Sequence, residues 1–85
     1  MDIFAENYEM AVTEEVLKKR TKLAETVRKI REEKGLTQQE VANATEMSWS
    51  TIQRFEMGKF SLNWDLLVRI FDVLEIEVKL NDDII

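Results

Sequence analysis

Residues 36–60 read LTQQEVANATEMSWSTIQRFEMGKF, and two short amphipathic helices separated by three or four residues account for nearly every position. Thr37 has the side chain of an N-cap, whose oxygen takes one of the free backbone N–H groups of a first turn. That predicts a helix from Gln38 to about Thr45 with Leu36, Val41 and Ala42 turned inward. Ser48 caps a second helix, Trp49 to Met57, with Ile52 and Phe55 inward and Gly58 as its stop. The pattern is a helix, a tight turn and a helix, with Ser, Trp, Ser, Thr, Gln and Arg crowded around the start of the second.

The flanks extend this reading. Thr13 followed by Glu14 and Glu15 is an N-cap with acids at the positive helix end. Val16, Leu23, Val27 and Ile30 then fall at helical spacing with Leu17 and Ala24 beside them, and Gly35 follows as a C-cap. One helix, or two nearly collinear ones, is predicted over 14–34. Asn63 caps a further helix, 64–74, whose polar residues are Asp65, Arg69 and Asp72 only. Trp64, Leu67, Phe71 and Leu74 are expected in the core. Leu66, Ile70 and Val73 lie on another flank that a chain of this size struggles to cover, which predicts a partner surface.

Residues 76–80, Ile-Glu-Val-Lys-Leu, alternate with the period of a strand. A lone strand leaves its backbone groups unpaired, and no other segment stands out as its partner. The expectation is pairing with the same strand of a second copy, so that Ile76, Val78 and Leu80 join Leu66, Ile70 and Val73 in a dimer interface. The expected organisation is an N-terminal arm or short helix over 1–12, a helical domain over 13–75, and a C-terminal strand and tail over 76–85.

Composition agrees with an all-α unit: 85 residues with no Pro and two Gly favour long helices, at a size where one small core is all that can form. Without Cys or His, the chain has no disulfides, no thiolate or imidazole chemistry and none of the usual zinc ligand sets. No Gly-rich phosphate loop or acid pair in a recognisable pocket pattern appears, so an enzyme is not expected, nor any cofactor. The first residues carry acids rather than a basic region ahead of an apolar stretch, and no uncharged run approaches a membrane span, so a cytoplasmic protein is expected. The net charge of −5 is unevenly spread: residues 18–34 hold eight Lys or Arg against three Glu, and residues 61–85 hold two bases against six acids.

The series Leu36-Thr37-Gln38-Gln39-Glu40-Val41-Ala42, Ser48, Ser50-Thr51-Ile52, Phe55-Glu56 and Gly58-Lys59 resembles the helix-turn-helix of the phage-repressor and Cro-type DNA-binding family over about residues 22–75. The resemblance implies a lambda-repressor-like domain of four or five helices. Trp49–Met57 becomes its recognition helix, with Trp49, Ser50, Thr51, Gln53 and Arg54 as candidates for groove contact. Arg54 suits guanine O6 and N7, Gln53 suits adenine, and Ser50 and Thr51 suit phosphate or either base. Gln38 and Lys59 suit phosphates, which set register without reading sequence. Trp49 fits either a thymine methyl or sugar in the groove or a place against Phe60 at the core edge. The run Lys18-Lys19-Arg20-Lys22 reads as a solvated helix face, although in the family the start of this helix lies near the DNA backbone, so Arg20 or Lys22 is a further candidate for phosphate.

Two residues depart from the family's pattern: Glu46 stands where the turn usually has Gly, and Glu75 replaces another common Gly after the last helix. The leading expectation is a homodimeric repressor that reads an inverted repeat in double-stranded DNA. The acidic chain with its C-terminal strand and N-terminal extension is similar to the antitoxins of toxin–antitoxin pairs, which bind their own promoter and sequester a toxin protein. The alternatives are a stand-alone phage-type repressor and a protein-interaction module that keeps the fold without binding DNA.

Overall fold

The computed structural model describes residues 12–85, so the expected arm over 1–12 lies outside the described residues except for Val12. Four helices and a small sheet follow in order: α1 Glu14–Glu33, α2 Gln38–Thr45, α3 Trp49–Glu56, α4 Trp64–Val73, β1 Lys79–Leu80 and β2 Asp83–Ile84. Each helix starts at the residue that the sequence predicts. The side-chain oxygens of Thr13, Thr37, Ser48 and Asn63 accept the backbone N–H of Val16, Glu40, Thr51 and Leu66 at 2.9–3.1 Å. At α2 the cap is reciprocal, because the Thr37 N–H also donates to Glu40 Oε1 at 2.9 Å. The bonds from the Thr37 backbone, then from its side chain, hold the Glu40 carboxyl below its ordinary pKa.

The helix ends are built alike. After α1 the Leu36 N–H donates to Arg31 O and the Gly35 N–H to Glu32 O; after α2 Met47 donates to Ala42 and Glu46 to Asn43; after α4 Ile76 donates to Phe71 and Glu75 to Asp72. These are Schellman closures, which require a left-handed residue just past the helix. Gly35 supplies it at no steric cost, whereas Glu46 and Glu75 adopt φ of 59° and 57° with a side chain present. At both positions, where the resemblance implies glycine, an acid takes up the left-handed conformation.

One core joins α1 to α4. Val27 of α1, Val41 and Ala42 of α2, Ile52 and Phe55 of α3, and Ile70, Phe71 and Leu74 at α4 form it with Leu62. Because α2 packs on both α3 and α4, and α1 on α3, the two short helices are braced from three sides. Burying a side chain the size of Ile52 or Phe55 stabilises by about 1.5–3 kcal/mol each, so this cluster holds the body together.

Three expectations are corrected here. Ile70, assigned from sequence to an uncovered flank, is 1% exposed and belongs to the core. Trp64, assigned to the core, is 51% exposed and meets Phe71 edge-on at 6.3 Å. Both errors have one cause: α4 is apolar nearly all round, so its pattern does not say which side faces in. The third concerns the strand, which covers Lys79–Leu80 rather than 76–80 and finds its partner inside the chain. Lys79 faces Ile84 and Leu80 faces Asp83 in antiparallel register, and the Ile85 N–H donates to Val78 O at 2.9 Å. Asn81, at φ 55°, turns the chain back, a conformation that Asn tolerates better than most residues.

Candidate nucleic-acid interface

Eight residues of α3 divide into two faces. Ile52, Phe55 and Glu56 are buried, Trp49, Ser50 and Arg54 are exposed, and Thr51, beside the buried face, and Gln53 are half-buried. The outward residues fall at i, i+1, i+4 and i+5, one continuous stripe of a helix. At its N-terminus the Ser48 hydroxyl lies 2.7 Å from Thr51 Oγ1 and 3.2 Å from Ser50 Oγ, which fixes three hydroxyls in one cluster beside the free N–H groups of the first turn. Trp49 is 44% exposed. Arg54, one turn on from Ser50, places its Cζ 4.8 Å from the Phe60 ring centroid. Lys59, two residues past Met57, is exposed.

The elbow between α2 and α3 is rigid for a reason visible in its residues. Ala42 of α2 is 0% exposed and Ile52 of α3 is 1% exposed, and both belong to the one core cluster that joins the two helices. Thr45, at the end of α2, returns its hydroxyl to the carbonyls of Val41 and Ala42, and Arg69 of α4 donates to the Thr45 carbonyl at 3.3 Å. The exposed Glu46 then carries the chain over to Ser48.

An ionic network beneath the elbow was not foreseen as a unit. Arg31 of α1 is 8% exposed and Glu56 of α3 is 5% exposed. Arg31 Nε donates to Glu56 Oε2 at 2.7 Å and Nη2 to Oε1 at 2.9 Å, a bidentate pair, while Nη1 donates to Leu36 O at 2.7 Å. The hydrogen bond to Glu56 is the main influence that raises the Arg31 pKa further; burial opposes it, and the charges of Glu56 and Glu32 add to it. Gln38 completes the set by donating from Nε2 to Glu56 Oε1 at 3.0 Å. Gln38, the candidate for a phosphate, is half-buried and commits one of its amide hydrogens to this network. The sequence did contain a signal. Arg31 lies four residues after Val27 and seven after Ala24, on the buried stripe of α1, where a charge requires a partner.

The start of α1 comes close to the loop that follows α3. Arg20 Nε donates to Ser61 Oγ at 3.0 Å, which brings Arg20 to the segment that bears Lys59. Lys22 is exposed on the same helix. A basic group of α1 is therefore held beside the α3–α4 loop that bears Lys59.

Residues 22–80 match the family model of the helix-turn-helix domain, and the chain belongs to that family. It is a DNA-binding domain of the kind used in transcription regulation. Neither the comparison with curated proteins nor that with solved structures gives a match. No helix among the described residues is long and apolar enough to cross a membrane.

Proposed function

We propose that the protein is a homodimeric, sequence-specific repressor of transcription and the antitoxin of a toxin–antitoxin pair that regulates its own operon. The observation that carries this reading is the outward stripe of α3, with Trp49, Ser50, Gln53 and Arg54 on a helix locked by Ala42 and Ile52. In this role α3 enters the major groove. Arg54 reads guanine through O6 and N7, Gln53 reads adenine, Ser50 and Thr51 meet phosphate or base edges, and Gln38 and Lys59 hold the backbone. A good bidentate contact is worth about 1–3 kcal/mol of discrimination.

Dimerisation uses the C-terminal region. A two-stranded hairpin with every residue exposed is marginal alone, and its outer edges offer unpaired backbone groups to a second copy. Leu66, Val73, Ile76 and Val78 are half-buried and Leu80 is exposed, so they can line the same interface; Ile70 cannot. Two recognition helices about a two-fold axis read half-sites roughly 34 Å apart, which makes the operator an inverted repeat. The antitoxin role is supported by the acidic residues of 61–85 beside exposed Leu80, Ile84 and Ile85, a surface suited to a basic protein partner.

A gel-shift titration on the protein's own promoter tests the DNA role. Specific binding with log K falling against log salt at a slope near −0.9 per phosphate contact is expected, and Arg54→Ala should lose discrimination at one base position. Binding indifferent to sequence, or discrimination that survives Arg54→Ala, counts against it. Co-purification with the product of an adjacent reading frame tests the toxin partner.

A further inference from the structure

Arg54 stands at the last turn of α3, and a free arginine there would sample many rotamers before any duplex arrived. Its guanidinium instead lies over the Phe60 ring, Cζ to centroid 4.8 Å, within the range of a cation–π contact. Phe60 is itself half-buried and packed against the core cluster, so the ring is anchored to the body. Guanidinium donors lie in the plane of the group, and stacking on a ring face leaves them available at its edge. We propose that Phe60 is a positioning residue for specificity: its ring holds the Arg54 guanidinium ordered at the end of α3, ready for a base edge. This role rests on the reading of Arg54 as a base-contacting group.

The core packing of Phe60 and its contact with Arg54 are separable. Phe60→Leu keeps an apolar group against the core and removes the ring; Phe60→Trp keeps a ring. The duplex comes from selection on randomised DNA with the wild-type protein, paired with a second duplex changed at the base that Arg54→Ala shows to matter. Phe60→Leu should reduce the preference between the two duplexes by about two- to fivefold, the size of an exposed cation–π contact, with a thermal midpoint near that of wild type. Phe60→Trp should restore the preference, and on the Arg54→Ala background Phe60→Leu should have no further effect. In the DNA-free protein, NMR should find the Arg54 side-chain protons shifted by the ring current, and the shift lost in Phe60→Leu.

An unchanged preference in Phe60→Leu, with Arg54→Ala still relaxing it, overturns the positioning role and leaves the reading of Arg54 intact. The same loss in both backgrounds also overturns it, since Phe60 then acts by itself. Tighter discrimination in Phe60→Leu overturns it too, by making the stack a contact that DNA must break. Unchanged preference in Arg54→Ala overturns the reading of Arg54 and the positioning role together.

Discussion

The α2–α3 elbow and the C-terminal hairpin are both pairs of short elements joined by a turn through a left-handed residue, Glu46 in one and Asn81 in the other. They differ in what lies behind them. The elbow sets Val41, Ala42, Ile52 and Phe55 into a core shared with α1 and α4, while all four strand residues of the hairpin are exposed. Hydrogen bonds exist in both, but each contributes only about 0.5–1.5 kcal/mol net, so burial decides which pair is held firmly. The elbow is a part of the body, and the hairpin is a surface feature open to association.

The largest effect should come from beneath the elbow. Arg31→Met leaves Glu56 charged and unpaired, and it should destabilise the fold by about 3–5 kcal/mol in urea denaturation. The double variant Arg31→Met with Glu56→Leu should recover most of this. If the single variant is as stable as wild type, the elbow does not depend on its ionic support. Ile52→Ala comes next, at about 2–5 kcal/mol for a buried aliphatic side chain with no room to relax. At the turn, Glu46→Gly should stabilise by about 1 kcal/mol, because glycine adopts the left-handed backbone without strain. A destabilisation there would mean that the Glu46 side chain makes a contact worth more than the backbone cost.

The hairpin should give the smallest change in folding. Leu80→Ser with Ile84→Ser is expected to shift the unfolding free energy of the dissociated chain by less than about 0.5 kcal/mol, as for other surface sites. The same variant should weaken self-association in sedimentation experiments if the second copy docks on the hairpin edge. Unfolding as severe as that of Ile52→Ala would abolish the contrast between the two regions.

The helices were legible in the sequence because their boundaries are local chemistry. Thr13, Thr37, Ser48 and Asn63 each cap within three residues, and the ends fall within one residue of their expected positions. The left-handed turns at Glu46 and Glu75 were legible only through the resemblance, which implies Gly at both positions. What failed depends on tertiary choice. The side of α4 that faces inward is set by neighbours, so Ile70 and Trp64 exchanged their expected places. The hairpin was missed because β2 is two residues, Asp83–Ile84, too short to show alternation. Leu17 and Val16 fit the apolar stripe of α1 yet stay about half-exposed, at 47% and 48%, since the first turns of that helix carry them away from the core cluster. At the candidate interface, the direction of α3 was readable from Ile52 and Phe55; the Arg54–Phe60 stack was not, because residues six apart across a helix end meet only once the following loop has its path.

The bidentate pair between Arg31 and Glu56 bears on the history open to this chain. Exchanging both charges for fitted apolar groups is energetically tolerable, yet each route to that outcome passes through a protein with one orphaned ion. Positions 31 and 56 are thus a ratchet: drift at either codon alone is penalised, and only simultaneous change crosses the valley. A saturation library at the two sites should recover functional combinations as matched couples, with few tolerated singles.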